Sequence, residues 1–138
     1  YIAGEGTEKE ILQNQAQNNK NIIFLGKIPN EQLPALLNRC EVFVLPSLYE
    51  GNPKALLEAM ACGMLCVASD IDGVKEILIS KQNGLLTKPD KDNLKQAIVF
   101  LLQNKSLAEQ LSHQARQTII NDFSLEKILQ KESTLLKA

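Results

Sequence analysis

The amino-acid sequence predicts a doubly wound α/β fold, in which a parallel sheet lies between two layers of helices. Two observations lead to this class. Short apolar runs alternate along the chain with segments whose apolar residues recur at helical spacing. The runs are almost continuously apolar, which indicates strands buried on both faces, as in parallel sheets. Ligands in such folds bind outside the carboxyl ends of the strands, so the loops that follow the strands are candidate sites.

The elements of the first half begin with a strand remnant at residues 1–3. The chain starts with Tyr1 rather than Met, in what looks like the end of a strand, so we expect a fragment of a longer protein. The next predicted elements are a helix opened by the capping-box pattern at 7–10, a buried strand at 21–26, a helix at 30–40 capped by Asn30, and a strand at 41–47.

The second half continues this alternation and closes with helices. The predicted elements are a helix at 54–63, a strand at 64–70, a short helix through Val74, Ile77 and Leu78, a strand at 83–87, and three helices over the remaining residues. The sequence shows no internal repeat or linker. We therefore expect one domain over residues 1–138.

The composition is that of a globular protein, and it indicates neither a nucleic-acid-binding surface nor a membrane-spanning segment. Hydrophobic residues make up 44% of the chain, and 15 Lys and Arg residues nearly balance 16 Asp and Glu residues. Nucleic-acid binding usually requires clustered positive charge, which this sequence lacks. No apolar run approaches the roughly 20 residues that span a bilayer.

The three cysteines, Cys40, Cys62 and Cys66, lack the even number and spacing of a disulfide framework. They suit free thiols in a reducing cytoplasm, which is where we expect the protein. Cys62 and Cys66 are conceivable metal ligands, but the only histidine, His113, is far away in sequence. Packing in the core is the favoured interpretation.

Gly4 and Gly6 frame the first loop after a strand and match the start of the glycine-rich fingerprint of dinucleotide-binding folds. Lys9 stands where the third glycine is required, and no suitably placed acidic residue follows about 20 residues later. A tight turn is therefore favoured over a nicotinamide site.

The loop and helix start after the strand at 41–47 give the strongest signal for a ligand. Asn52 suits the N-cap and Pro53 the first helical position. The free N–H groups of Lys54, Ala55 and Leu56 would then point out of the carboxyl end of the sheet. Orphan donors and the helix dipole attract phosphate at such a position.

Glu58 lies in an otherwise apolar helix, where a carboxylate without a partner is unfavourable. One explanation is an i,i+4 pair with Lys54, worth only about 0.2–0.5 kcal/mol and formed in the weaker orientation, Lys before Glu. The other is that Glu58 accepts the neighbouring hydroxyl groups of a ribose, while Glu50, in the preceding loop, faces a sugar. The residues alone leave both explanations open.

The segments FLGKIPNEQLPALLNRC, EVFVLPSLYEGNPKALLEAMACGMLCVASDIDGVKEI and NGLL follow one another in the chain, and residues 50–58 fit the pattern E-G-x-P-x-x-L-x-E. Together they resemble the C-terminal, nucleotide-sugar-binding domain of retaining GT-B glycosyltransferases, glycosyltransferase family 4. The similarity runs from Tyr1 to about Pro89. It implies a three-layer α/β/α Rossmann-like domain that lacks its first strand.

The resemblance also implies roles for individual residues. Glu58 would hold the ribose hydroxyls, and Glu50 would be the catalytic residue, in contact with the transferred sugar near the reacting carbon. Gly26, Lys27 and Ile28 would form the nucleobase pocket, although they also fit a plain strand-to-loop turn. The donor sugar and diphosphate would be lined by Gly51, Asn52, Pro53, Lys54, Leu56 and Leu57.

The implied activity is retaining transfer of a sugar from a nucleoside diphosphate, UDP or GDP, to a glycan, glycolipid or other hydroxyl in surface polysaccharide or glycolipid synthesis. No metal or other cofactor is expected, since helix N-termini and basic side chains would stabilise the leaving diphosphate. An N-terminal domain absent here would bind the acceptor, with an inner-membrane position as an option. The alternatives are an epimerase-like enzyme or a non-catalytic nucleotide-binding module on the same fold.

Two loops depart from the family pattern. Asp72-Gly73 stands where two glycines are common, and residues 80–84 replace a more usual Asp-Gly pair. We expect both loops to tolerate change, with Asp72 altering the wall of the donor site.

Overall fold

The computed structural model describes residues 1–17 and 19–135. Within them, strands and helices alternate as the sequence predicts, up to a helical C-terminal part. The elements are β1 (Ile2–Ala3), α1 (Lys9–Ala16), β2 (Phe24–Gly26), a 3₁₀ turn (Asn30–Gln32), α2 (Leu33–Leu37), β3 (Val42–Leu45), α3 (Lys54–Ala61), β4 (Leu65–Ser69), α4 (Asp72–Lys75), β5 (Leu85–Thr87), α5 (Lys91–Gln103), α6 (Lys105–Thr118), a π-helical turn (Ile119–Phe123) and α7 (Leu125–Leu135).

The chain divides into two compact units, Tyr1–Leu36 and Leu37–Ala138. In the first unit, β1 and β2 pair in parallel. The amide of Gly4 extends this pairing by donating to the carbonyl of Gly26 at 2.8 Å. The expectation of one domain over residues 1–138 stays a prediction.

The second unit contains a three-stranded parallel sheet in the order β3-β4-β5. Val42 lies opposite Leu65 in the β3–β4 pair, and Val67 lies opposite Leu85 in the β4–β5 pair. The central strand β4 is buried along its whole length, as its continuous apolar run predicts. The alternation of helices with parallel strands confirms the predicted Rossmann-like α/β class.

The core of the second unit lies between the sheet and the helices α5 and α6. Its centre is formed by one face of β4, which meets buried leucines from both helices. The cluster comprises Leu65, Val67, Leu85, Leu101 and Leu111, with Val42, Leu94, Ala97, Ile98, Leu107 and Ala108 packed around it. Among the described residues, no helix is long and apolar enough to cross a bilayer.

Cys66 belongs to this buried strand and is not exposed at all. Burial raises the pKa of the Cys66 thiol to about 12, because the charged form would lose its hydration. The thiol donates to the carbonyl of Met64 at 3.4 Å. The packing interpretation is confirmed for Cys66, while Cys40 and Cys62 are half-buried free thiols.

Three predicted helix caps are wrong. The helix after Thr7 begins only at Lys9 and has no side-chain cap, because the flanking Glu8 has helical backbone angles rather than the extended angles of a capping residue. Asn30 lies inside a 3₁₀ turn that follows Pro29. Asn52 precedes the α3 helix by two positions, and its backbone carbonyl, not its side chain, accepts from Lys54 at 2.9 Å.

Asp90 is the cap that the sequence interpretation missed. Its side chain accepts hydrogen bonds from the amides of Asp92 and Asn93 at the start of α5, at 3.1 and 2.9 Å. The hydrogen bonds from the backbone and side chain of Asn93 hold the pKa of the Asp90 carboxyl below its usual range.

The turn before β5 is held together by Asn83, which is only 3% exposed. Its side-chain oxygen accepts from the amide of Ile79 at 2.7 Å, and its amide nitrogen donates to the carbonyl of Ile77 and the hydroxyl of Thr118, both at 3.1 Å. A Cβ on Gly84 would lie 2.9 Å from the carbonyl oxygen of Cys66. The expected tolerance to change therefore does not extend to Asn83 and Gly84.

Candidate functional site

The loop from residue 46 to residue 53 follows the carboxyl end of β3 and contains Glu50. This glutamate is half-buried, and its Oε1 accepts a hydrogen bond from the Ser47 hydroxyl at 2.7 Å. No described residue pairs with its Oε2. One carboxylate oxygen is thus fixed by the protein, and the other is open to a ligand.

The neighbours of Glu50 in this loop are exposed. Leu48 and Tyr49 are 78% and 84% exposed, the largest values among the large apolar side chains described, and Gly51 and Asn52 are also exposed. Pro53, in contrast, is buried and flanks the start of α3. The loop is therefore anchored at Pro53 and open to solvent before it.

The start of α3 differs from the predicted row of free N–H groups. Lys54 donates to the Asn52 carbonyl, and the amides of Leu56 and Leu57 both donate to the Pro53 carbonyl, at 2.9 and 3.2 Å. Pro53 has a ψ of 71°, which brings its carbonyl within reach of both amides and tightens the first turn.

Of the three amides predicted to be free, only one is. The amide of Ala55 has no acceptor among the described residues, whereas those of Lys54 and Leu56 are engaged. A diphosphate at this helix start would accept a hydrogen bond from the free amide of Ala55. The amides of Lys54 and Leu56 would have to divide their hydrogen bonds between the diphosphate and their present backbone acceptors. The predicted diphosphate contacts of Leu56 and Leu57 stay predictions, because no ligand is present to test them.

Glu58 lies in the second turn of α3 and is half-buried, while its helix neighbours Leu56, Ala59 and Met60 are fully buried. No ion pair joins it to Lys54, nor to any other described residue, and its carboxylate takes part in no described hydrogen bond. The i,i+4 explanation for this carboxylate is therefore wrong, and the ribose contact of Glu58 stays a prediction.

The residues predicted for the nucleobase pocket lie in the first unit, where β2 ends. Gly26 has a φ of +64°, a conformation that favours glycine, and Lys27 is exposed while Ile28 is half-buried. A Cβ on Gly26 would lie 2.7 Å from Oε1 of Glu5, which is ion-paired with Lys9 at 2.9 Å. The sequence signal for this ion pair was the spacing of four residues between Glu5 and Lys9. Residues 4–6 are irregular, and the turn before α1 lies at residues 7–8.

The described residues of this candidate site neither form a group of metal ligands nor line the cavity at the start of β3 and β4. Among residues 1–17 and 19–135, no three His, Cys, Asp or Glu side chains are grouped to hold a metal ion. A cavity of about 500 Å³ is lined by Val42 and Leu65, the first residues of β3 and β4. It lies at the amino edge of the sheet, whereas Glu50 follows the carboxyl edge.

Fold and site together define an α/β domain in which a loop with an incompletely paired glutamate, Glu50, follows the carboxyl end of a parallel strand. Residues 1–118 match the family model of the glycosyl transferases group 1. This match spans most of the chain, which therefore belongs to that family. Membership of glycosyltransferase family 4 stays a prediction.

Similar proteins include transferases of several kinds. A glycogen synthase of Mycobacterium tuberculosis (strain ATCC 25618 / H37Rv) is 35% identical over 131 residues, which are 92% of this chain and 32% of that protein. The UDP-Gal:alpha-D-GlcNAc-diphosphoundecaprenol alpha-1,3-galactosyltransferase of Escherichia coli is 33% identical over 135 residues, 94% of this chain and 34% of that protein.

A solved structure shows the same fold. The sucrose-phosphate synthase from Thermosynechococcus elongatus superposes with a TM-score of 0.87 at 29% identity, covering 96% of this chain and 34% of that one. The chain thus spans about a third of the length of the curated relatives it matches.

Proposed function

We propose that this chain is the donor-binding part of a glycosyltransferase, which binds a nucleoside-diphosphate sugar and retains the configuration of the transferred sugar. The observation that carries the proposal is the half-buried carboxylate of Glu58. It has no partner among the described residues and lies one helix turn beyond a helix start suited to phosphate.

Ribose is the partner that suits Glu58 best. A carboxylate is an acceptor-only group with two oxygens, so it can accept from the two adjacent hydroxyls of a ribose at once. If the helix served only to pack against the core, an apolar residue at this position would cost less free energy of desolvation than a carboxylate. Hydrogen bonds to a charged group contribute about 1.5–3 kcal/mol, enough to fix the nucleoside.

Glu50 is proposed as the catalytic residue of the donor site. Ser47 holds Oε1, so Oε2 is directed to the hydroxyls of the transferred sugar. In the transfer, the bond between the anomeric carbon and the diphosphate oxygen breaks, and the diphosphate leaves with the electron pair. The acceptor oxygen forms the new bond to the anomeric carbon and gives up its proton to the leaving diphosphate. A carboxylate beside the sugar stabilises the positive charge that develops on it.

The leaving diphosphate is proposed to lie at the start of α3. The amide of Ala55 has no acceptor among the described residues, and the preceding residue, Lys54, is exposed. The helix dipole adds partial positive charge at this end of α3. The exposed backbone at Gly51 and Asn52 would line the sugar, and Pro53, which has no N–H, would shape the loop. On this proposal the reaction needs no metal.

The nucleotide is proposed to be UDP or GDP. The Escherichia coli galactosyltransferase that is 33% identical carries UDP-Gal in its name, which favours UDP. The acceptor, a glycan or glycolipid of the cell surface, would bind to another part of a longer cytoplasmic protein, at the inner membrane in some cases. This chain alone would bind nucleotide but transfer sugar negligibly.

Calorimetric or NMR titration with UDP, GDP, ADP and their glucose conjugates tests the proposal. Glu58→Ala is expected to weaken binding of the preferred nucleotide at least tenfold, because the ribose loses a charged acceptor. Glu50→Ala should leave the affinity for free nucleotide within about twofold and remove the preference for the sugar conjugate.

The matched control is Glu126→Ala, on the exposed start of α7, which should titrate like the wild type. Unchanged titrations for both Glu50→Ala and Glu58→Ala would rule out the donor site. Robust sugar transfer by residues 1–138 alone would contradict the assignment of acceptor binding to another part of the protein.

A further inference from the structure

The first turn of α4 is in close contact with the backbone of Glu50. A Cβ on Gly73 would overlap the carbonyl oxygen of Glu50, and it would lie 2.9 Å from the carbonyl carbon and 3.5 Å from the carbonyl oxygen of Gly51. All three atoms belong to the backbone, so no side chain can rotate away to make room. The need for glycine at position 73 is therefore a need for space.

The α4 side of this contact is fixed. Val74 is fully buried, and its amide and that of Lys75 both donate to the carbonyl of Ile71, at 3.1 and 3.0 Å. Ile77 and Leu78, directly after α4, are also buried. The loop around Glu50 is exposed on both sides of this residue, so the loop is the part that would move if Gly73 carried a side chain.

At the neighbouring position, the side chain of Asp72 has open space around it. Its side chain is 99% exposed and forms an ion pair with Lys75 at 3.1 Å. The hydrogen bond and charge of Asp72, helped by Asp70, raise the pKa of Lys75. The Asp72 side chain is thus directed to solvent, which explains why a departure from glycine is accommodated at position 72.

Glu50 is therefore held at two separate points. Gly73 supports its backbone from α4, and the Ser47 hydroxyl binds its Oε1 at 2.7 Å. We propose that Gly73 and Ser47 are positioning residues, which fix the Glu50 carboxylate so that Oε2 meets the donor sugar. This inference rests on the proposed donor site. A displacement of about 1 Å at a reacting group is enough to reduce catalysis about a hundredfold. Contacts to both the backbone and the side chain of Glu50 would keep such displacements small.

The test compares free nucleotide with nucleotide-sugar in the same titrations of the whole chain. Gly73→Ala should bind the preferred nucleotide within about twofold of wild type and lose the preference for the sugar conjugate, as Glu50→Ala does. Ser47→Ala should show the same pattern, and Ser47→Thr, which keeps the hydroxyl, should restore the preference. Loss of both affinities in parallel would indicate a merely structural role and overturn the inference.

The controls are matched in chemistry. Gly6→Ala adds a methyl group where no atom lies within 4 Å, and Ser106→Ala removes an exposed hydroxyl. Both should keep the wild-type preference. If Gly73→Ala does not fold, the Ser47→Ala and Ser47→Thr pair decides alone.

Failure of the inference and failure of the proposed function give different results. Wild-type preference in the Gly73 and Ser47 variants, with an effect of Glu50→Ala, overturns the positioning role and leaves the donor site standing. No effect of Glu50→Ala or Glu58→Ala removes the donor site, and the positioning role with it.

Discussion

The loop before α3 and the turn before β5 belong to the same unit, but their polar residues differ in how completely they are hydrogen-bonded. In the turn, every polar side-chain atom of Asn83 has a partner within the protein, and the residue is buried. In the loop and the helix that follows, Glu50 keeps one open oxygen and Glu58 has no described partner. Asn83 thus holds the structure together, while the two glutamates have unused capacity for a ligand.

This difference teaches how a polar residue in an apolar setting can be interpreted. A buried polar group is expected to be hydrogen-bonded, so a satisfied one requires no further explanation. A carboxylate that is half-buried and unpaired keeps the capacity to accept hydrogen bonds from water or from a ligand. The contrast can be tested on stability, where the two kinds of residue should behave differently.

The largest effect on stability is expected for Asn83→Ala. The substitution removes three hydrogen bonds and leaves the amide of Ile79 and the carbonyl of Ile77 without their partner, so we expect the free energy of unfolding to fall by about 3 kcal/mol. Chemical denaturation measures this loss, with the exposed neighbour variant Gln82→Ala as control. A loss below about 1 kcal/mol would mean that water replaces these bonds, and the contrast with the glutamates would fail.

A much smaller effect is expected for Glu58→Gln, which keeps the shape of the side chain. Since Glu58 makes no described ion pair or side-chain hydrogen bond, the free energy of unfolding should change by less than about 0.5 kcal/mol. The same denaturation experiment without nucleotide gives the value. A destabilisation above about 1.5 kcal/mol would reveal a structural partner and weaken the argument for ribose.

An effect that depends on pH is expected for Asp90, an exposed residue whose side chain accepts hydrogen bonds from Asp92 and Asn93. Its pKa is lowered in the folded protein, so its contribution to stability is present near neutral pH and is lost as acid protonates the carboxylate, below about pH 4. We expect Asp90→Ala to melt slightly below the wild type at pH 7, with a difference that shrinks towards pH 3.

Melting curves of Asp90→Ala and wild type over this range provide the measurement. Lys91→Ala, at the adjacent exposed position, is the control. A difference that stays constant down to pH 3 would show that the Asp90 charge does not contribute.

Strand β4 was predictable from the sequence because burial on both faces leaves a strong pattern. The apolar run at 64–70 contains β4 at Leu65–Ser69, with only the ends differing. The caps were not predictable in the same way. Asn52 is a favoured N-cap type and Pro53 suits the next position, yet Pro53 itself flanks α3, because backbone angles decide where the helix begins.

Within the site, the sequence predicted the two glutamates but not the residues that contact them. The spacing of Glu50 and Glu58 is visible in the sequence, and the ion pair that competes for Glu58 could be excluded only by the structure. The contact between Gly73 and Glu50 joins residues far apart in sequence, so no local pattern announces it. The same holds for the hydrogen bond between Asn83 and Thr118.

The proposed sugar-handling residues have a further property in common, which is their position within one continuous stretch of the chain. Ser47, Glu50, Glu58 and Gly73 all lie between residues 47 and 73, whereas α5 and α6, which pack against β4, begin only at Lys91. On the proposed assignment, exchange of this one segment between related genes would transfer donor-sugar preference as a unit. Evolution could thus vary the sugar while the C-terminal helices remain unchanged.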